Sequence, residues 1–333
     1  MISCSKQSIL LSSVIPYQQK TTMPSSPSRG SFGGAPMPAM IYGTAWKKER
    51  TAELVYQAIK AGFRAIDTAA MKRHYDEALA GEGIRRAINE GIVTRQDLWI
   101  QTKYTPRDPD FLVAVSPGGG DASSISAQIN ASVASSLSNL SFSAEGGEPQ
   151  PYLDALILHS PYPTLSHTLE AWNDGLRPFV ESKQVRHLGI SNTPLSVLEA
   201  LFGSSKVKPY IVQNRFRAAE YSWDVGTRKF CAENGIKYQG FWTLTGNPGA
   251  WQKAGFVRDV AEGSGVGLAE AWYVLMMEGG TDIVVLNGTT NEGRMKGDLE
   301  AVGKVRRWRE TEEGRRVWER SVREFKGLVD GEE

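Results

Sequence analysis

Three apolar segments of this chain each end on a side chain that can hold or move a proton. Phe63-Arg-Ala-Ile-Asp67 ends on a carboxylate, Trp99-Ile-Gln-Thr-Lys103 on an ammonium, and Leu153-Asp-Ala-Leu-Ile-Leu-His159 on an imidazole. The first two lie about one strand-plus-helix unit apart, so neighbouring strand ends would deliver Asp67 and Lys103 as a partly buried ion pair. Tyr75 stands between them. A hydride reaching a carbonyl carbon leaves negative charge on oxygen, and that charge must be protonated or stabilised. A phenol, with an ordinary pKa of about 10, is a weak acid at neutral pH. A nearby ammonium lowers that value by stabilising phenolate. Lys103 would supply the cation and Asp67 would keep it charged. A neutral His159 would hydrogen-bond the substrate oxygen and orient it against Tyr75. The four together point to carbonyl reduction.

Each residue alone has a plainer role: a structural ion pair, a core histidine, a tyrosine capping a turn. Three of the four at strand ends favours the catalytic reading. His74 is the local rival to Tyr75 as proton donor and reads as a loop residue beside it. A barrel isomerase or aldolase with Lys103 as Schiff base would need a lysine free of an ion-pair partner, and Asp67 argues against that.

The elements that must position these groups are legible from residue 38 onward. Strands are expected near 39–43, 63–67, 98–103, 153–159, 186–191, 210–213, 236–241 and 282–286. Helices are expected near 50–61, 76–90, 125–140, 165–182, 194–203, 223–234, 257–277 (broken at Gly263–Gly267) and 291–303. Segments such as Ala155-Leu-Ile-Leu and Asp282-Ile-Val-Val-Leu are apolar nearly throughout, as for strands buried on both faces of a parallel sheet. Asp76, and Asn192-Thr-Pro194, are expected helix starts. Eight β–α units in series predict an α/β fold, a closed (β/α)₈ TIM barrel with functional residues at the strand C-termini. No G-x-G-x-x-G turn follows a strand, since Gly263-Ser-Gly-Val-Gly267 has the wrong spacing, so an open dinucleotide-binding sheet is disfavoured. Residues 37–305 form the expected barrel. Residues 306–333 form a charged helix and tail packed outside it by Trp308, Val317, Trp318 and Phe325.

The motif set resembles the aldo-keto reductases over 37–305, fungal members most. It comprises Gly43-Thr44, Gly62-Phe-Arg-Ala-Ile-Asp-Thr-Ala69, Thr102-Lys103, Asp154 with His159-Ser-Pro161, Arg186-His-Leu-Gly-Ile-Ser191-Asn192, and Gln213-Asn214. The resemblance implies a nicotinamide cofactor at the strand C-termini and reduction of aldehydes or ketones. One departure stands out. The family tyrosine usually follows the aspartate by five positions, where this chain has Lys72. Tyr75 comes eight positions on, in Met71-Lys-Arg-His-Tyr75-Asp-Glu77, so an extended turn is expected to deliver it.

By matched position, the resemblance assigns Ser191, Asn192 and Gln213 to the nicotinamide carboxamide. Trp242 stands where the family usually stacks a tyrosine under that ring, and Thr243, Leu244 and Gly246 would line the pyrophosphate path. After the last strand the family often has Pro-Lys-Ser, whereas this chain has Leu286-Asn287-Gly288-Thr289-Thr290. Asn287 is read at the lysine position. Arg294, with the Thr289 and Thr290 hydroxyls, would then hold the adenosine phosphate, and Asp298 would face the adenine amino group. NADPH is the expected cofactor, with NADH left open. Trp46, Tyr104, the 106–124 loop, Tyr162 and the 214–221 segment are expected to line the substrate pocket. A cofactor-binding regulatory subunit without turnover, as in the related potassium-channel β subunits, is the competing function.

Composition narrows the partners. Hydrophobic residues at 41%, charged residues at 23% and a net charge of +1 describe an ordinary globule with no global attraction to nucleic acid or anionic membrane. No apolar run is long enough to span a bilayer. Cys4 and Cys231 have neither disulfide-scaffold nor metal-ligand spacing, so no metal site is expected. Residues 1–36 are rich in Ser and lack acidic residues, a composition shared with mitochondrial presequences. Pro16, Pro24 and Pro27 would interrupt a long amphipathic helix, so a disordered extension on a cytoplasmic protein is the main expectation. The partner expected is a small carbonyl substrate, and the chain is expected to be a monomer or weak dimer.

Overall fold

The computed structural model describes residues 36–106, 124–142 and 151–331. All but the last residue of the extension expected over 1–36, and nearly all of the rim loop expected over 106–124, lie outside the described residues. Eight parallel strands close into a barrel in sequence order. They are β1 Met40–Gly43, β2 Ala65–Asp67, β3 Trp99–Tyr104, β4 Leu153–Leu158, β5 Val185–Ser191, β6 Ile211–Arg215, β7 Lys237–Phe241 and β8 Val284–Asn287. β1 closes the ring by pairing with both β2 and β8, Tyr42 lying opposite Ile66 on one side and Asn287 on the other.

Strand alternation divides the core into two shells. Ile41, Ala65, Trp99, Ala155, Ile157, Ile211 and Val284 pack inside the barrel. The intervening residues, among them Tyr42, Ile66, Ile100, Leu156, Leu188, Val212 and Val285, pack outward with the helices into a larger cluster. This two-sided burial is why the strands read as continuous apolar runs.

The helices are α1 Thr51–Ala61, α2 Glu77–Asn89, α3 Ile125–Asn139, α4 Leu165–Glu170, α5 Arg177–Glu181, α6 Leu195–Ser204, α7 Ala218–Tyr221, α8 Val225–Glu233, α9 Pro248–Lys253, α10 Gly255–Ser264, α11 Leu268–Glu278, α12 Glu292–Trp308 and α13 Glu312–Asp330. Asp76 caps α2 as expected, its Oδ1 accepting from the Leu79 amide at 2.9 Å. The break expected between α10 and α11 is present, with Gly265 left-handed at φ 68°. The short helices α7 and α9 were not expected, and two expected helices run differently. The helix read as continuous over 165–182 widens into a π-turn at Ala171–Leu176, where Gly175 packs so closely on Ile129 of α3 that a Cβ would overlap it. The helix read to end at 303 runs on to Trp308, and α13 starts only at Glu312, capped by Thr311. α13 is held by Trp318, Phe325 and Val329, all buried, and by Arg228, which pairs with Asp330 at 2.7 Å. Among the described residues no helix is long and apolar enough to cross a membrane.

Candidate active site

β2 and β3 end side by side, and their last inward positions carry Asp67 and Lys103. Lys103 Nζ donates to Asp67 Oδ2 at 2.6 Å and to the Thr68 carbonyl at 2.9 Å. Thr44 ties β1 to the same point, its amide and hydroxyl both donating to the Asp67 carbonyl.

The longer turn after β2 takes up its extra residues as a single helical turn. The amides of His74 and Tyr75 both return to the Met71 carbonyl. The turn is then pinned to the β1–α1 loop, where the Trp46 amide donates to the His74 carbonyl at 2.7 Å and the Trp46 ring lies 3.9 Å from the His74 ring. This geometry holds Tyr75 with its ring centre 4.7 Å from Lys103 Nζ and 6.0 Å from the His159 ring. His159 follows β4, its amide bonded to the Tyr104 carbonyl and its Nδ1 2.7 Å from the Thr105 hydroxyl. The structure therefore brings Asp67, Tyr75, Lys103 and His159 together.

The electrostatics differ from the sequence expectation in one respect. The Tyr75 phenol was expected below its ordinary pKa. Burial instead lifts it above that value, outweighing the opposing pull of the Lys103 ammonium, while Asp67 adds to the rise. The phenol is thus held firmly protonated. Burial pulls Lys103 down, but Asp67 and Tyr75 reverse this and raise it overall, so it stays charged. Burial, Lys103 and His74 together depress His159 to about 3, which leaves its imidazole neutral.

Beneath the ion pair lies a polar layer that the sequence reading missed. Asp67 Oδ1 accepts from Gln101 Nε2 at 2.7 Å and from Gln213 Nε2 at 3.0 Å, and both amides also reach Gln239 Oε1 at 2.8 Å. Trp99 Nε1 donates to Gln101 Oε1. Gln101 stands two positions before Lys103, on the same strand face, so alternation could have revealed it. Gln239 gave no signal without the barrel register.

The remaining expected positions divide into open and closed. At the end of β5 the Asn192 side-chain amide donates to the His159 carbonyl at 2.8 Å, while Ser191 is 1% exposed and its hydroxyl donates to the Gln213 carbonyl at 2.6 Å. Gln213, expected to face a carboxamide, instead spends its amide nitrogen inside the barrel. Trp242 follows β7 at φ 58° and is 47% exposed, with the Arg215 guanidinium 4.9 Å from its ring. Thr243, Leu244 and Gly246 form the tight turn behind it, where the Gly246 amide returns to the Trp242 carbonyl. Trp46 is 63% exposed on the rim.

Tyr104 and Tyr162 do not open onto the rim. Tyr104 follows inward-facing Lys103, so alternation turns it to the helix side. There it is buried, with its hydroxyl 2.9 Å from that of buried Tyr162.

Asn287 is corrected on the same grounds. It faces outward, is 1% exposed and donates to Asp298 Oδ2 at 2.7 Å, so it does not meet a phosphate. Asp298 is buried with it, and burial raises its carboxyl to about 6 despite that hydrogen bond. Gly288, Thr290 and Arg294 are exposed and Thr289 is half-buried.

Another residue absent from the sequence reading is Lys47. It is 8% exposed, and its ammonium donates to the Gly288 carbonyl. Among the described residues no carboxylate pairs with it. An open aromatic face after β7 and a buried cation beside the turn after the neighbouring β8 suit a ligand that carries both a flat ring and phosphate. Among the described residues no cluster of side chains could hold a metal ion.

The aldo/keto reductase family model matches residues 33–255, a range that covers the rim through Trp242 and stops short of β8. The chain is 26% identical over 208 residues to the NADPH-dependent D-xylose reductase of Meyerozyma guilliermondii, spanning 54% of this chain and 56% of that one. It is 29% identical over 209 residues to an uncharacterized oxidoreductase of Bacillus subtilis, spanning 62% and 64%. These matches span less than two thirds of either relative's length. The solved structure of a Bombyx mori aldo-keto reductase in complex with NADP has the same fold, at a TM-score of 0.61 and 20% identity, with 82% of this chain and 89% of that chain covered. Because the family model accounts for more than half of the 333 residues, the chain belongs to the aldo/keto reductase family.

Proposed function

We propose that this protein reduces an aldehyde or ketone to an alcohol with NADPH, using Tyr75 as the proton donor. The observation that carries this reading is the Lys103 ammonium, paired with Asp67 at 2.6 Å and 4.7 Å from the Tyr75 ring, with neutral His159 beside them. The bound dinucleotide would supply the hydride. Trp242, exposed on the rim, would stack on the nicotinamide, with Ser191 and Asn192 reaching its carboxamide. His159 would donate to the carbonyl oxygen and hold it against the Tyr75 hydroxyl. As the carbonyl carbon accepts the hydride, the C=O double bond becomes a single bond and the oxygen takes the phenolic proton. Lys103 then stabilises the phenolate left behind until water returns the proton. Trp46 and His74 would wall the substrate on the β1 side. The names of the relatives, pentose and xylose reductases among them, support the same reading.

The test is oxidation of NADPH by the purified protein with an activated aldehyde such as 4-nitrobenzaldehyde, followed at the NADPH absorbance. Turnover supports the proposal. Tight NADPH binding without turnover across a broad panel of aldehydes and ketones would point instead to a regulatory protein.

A further inference from the structure

We infer that Arg215, the last residue of β6, sets the preference of this site between the reduced and the oxidised dinucleotide, its charge disfavouring NADP⁺. The inference rests on the nicotinamide reading above and adds a specificity residue to it. Strand alternation aims Arg215 at the barrel mouth. Gln213, two positions earlier, points inward to Asp67, so Arg215 takes the same face at the C-terminal end of the strand. Register sets it opposite Phe241 of β7, the residue before Trp242. Its guanidinium lies 5.4 Å from the centre of the Phe241 ring and 4.9 Å from that of Trp242. On the other side β6 pairs with β5, Gln213 opposite Ser191, and Arg215 Nη1 donates to Asn192 Oδ1 at 2.6 Å. Asn192 and Trp242 each turn left-handed just past their strands, at φ 52° and 58°. Such conformations are unfavourable for residues with a Cβ, and surrounding contacts must maintain them. Arg215 touches both.

These are the two residues read as holding the nicotinamide, Trp242 against the ring and Asn192 at its carboxamide. A ring placed there lies one side chain away from the guanidinium. NADPH and NADP⁺ carry the same adenosine and phosphate groups and differ only in that ring. It is neutral when reduced and becomes a pyridinium cation once the hydride has left. The positive charge of Arg215 therefore repels the oxidised form and has little effect on the reduced one. Lys103, at the floor of the mouth, adds little to this difference, because Asp67 balances its ammonium at 2.6 Å. In carbonyl reduction the repulsion falls on the spent cofactor and hastens its departure, a step that limits turnover in many enzymes.

The test is titration of NADPH and of NADP⁺ into the wild-type protein, Arg215→Met and Arg215→Lys, read by quenching of tryptophan fluorescence. The readout is the ratio of the two dissociation constants, so no turnover is required and any loosening of Asn192 that affects both forms cancels. The wild type should bind NADPH more tightly. Arg215→Met should shift the ratio toward NADP⁺ on the order of tenfold, the worth of one charge repulsion at a half-buried site. Arg215→Lys keeps the charge and should keep the wild-type ratio. An unchanged ratio in Arg215→Met would overturn the inference. An equal shift in both variants would also overturn it, because shape and not charge would then be the cause. Either result leaves the reductase reading intact. A wild-type protein that binds neither form would overturn the inference and the reading beneath it. A shifted ratio in a protein that turns over no carbonyl would support the inference and overturn the reductase reading alone.

Discussion

Lys103 and Asp67 meet at 2.6 Å with 1% and 2% of their side chains exposed, so the pair lies sealed inside the barrel mouth. The carboxylate is saturated from three sides: Lys103 bonds Oδ2, and Gln101 and Gln213 bond Oδ1. This fixes the lysine's direction as well as its charge, and directs the ammonium between the Thr68 carbonyl and the Tyr75 ring.

That arrangement makes the pair fragile to single replacement. Asp67→Ala strands a buried ammonium and should cost about 3–5 kcal/mol of folding stability. Asp67→Ala combined with Lys103→Met should cost less than Asp67→Ala alone, because no unpaired charge remains. Urea unfolding of the three proteins measures this. A double variant less stable than Asp67→Ala would show that the pair stabilises beyond its charges.

Tyr75→Phe keeps the ring and its packing but removes the proton. Turnover should fall on the order of 10²–10⁴-fold, the usual contribution of a positioned acid, with NADPH affinity nearly unchanged. His74→Ala should lose much less. Near-normal turnover in Tyr75→Phe together with loss in His74→Ala would transfer the acid role to the imidazole.

Trp46 tests the docking of the long turn. Its ring is largely exposed and packs at a tilt on the His74 ring, centres 3.9 Å apart, while its amide holds the His74 carbonyl. Trp46→Ala removes the ring and keeps the amide bond. Folding stability should change by less than about 1 kcal/mol, as for most surface positions, while KM for a carbonyl substrate rises severalfold. A fall in kcat with KM unchanged would mean that the ring contact positions Tyr75 rather than the substrate.

Asp298 gives a pH dependence with a definite sign. Its carboxyl is raised to about 6 in the folded protein, mainly by burial, from an ordinary value near 3.8. Between these values the folded state keeps a proton that the unfolded chain has lost, so stability falls as pH rises through roughly 4 to 6. The loss is complete near neutrality, with an upper bound of roughly 3 kcal/mol. Asp298→Asn should remove this slope and raise the melting temperature at neutral pH. Melting curves that fall just as steeply over that range in the variant would assign the slope elsewhere.

The barrel and its strand-end chemistry were readable because a parallel sheet buries both faces. Its strands are apolar almost throughout, so Asp67, Lys103 and His159 stand out where each run stops. Gly265 marked the helix break for a similarly local reason, since a left-handed residue there favours glycine. The family motifs were legible through β6, and the family match ends before β8, where the sequence departs from the usual turn.

What the sequence left open depended on register, closure and burial, which are properties of the closed barrel and not of any one segment. Counting alternation outward from Lys103 would have turned Tyr104 to the helix side, and the same count places Asn287 against α12. The glutamine layer needed the pairing of β6 with β7 to bring Gln213 and Gln239 together across 26 residues. The rise in the Tyr75 pKa could not be read from its charged neighbours, because burial outweighs Lys103 and only the packed turn sets that burial. Lys47 reads in the sequence as one more surface lysine. Only the fold takes it out of water and places its ammonium against a turn 241 residues away.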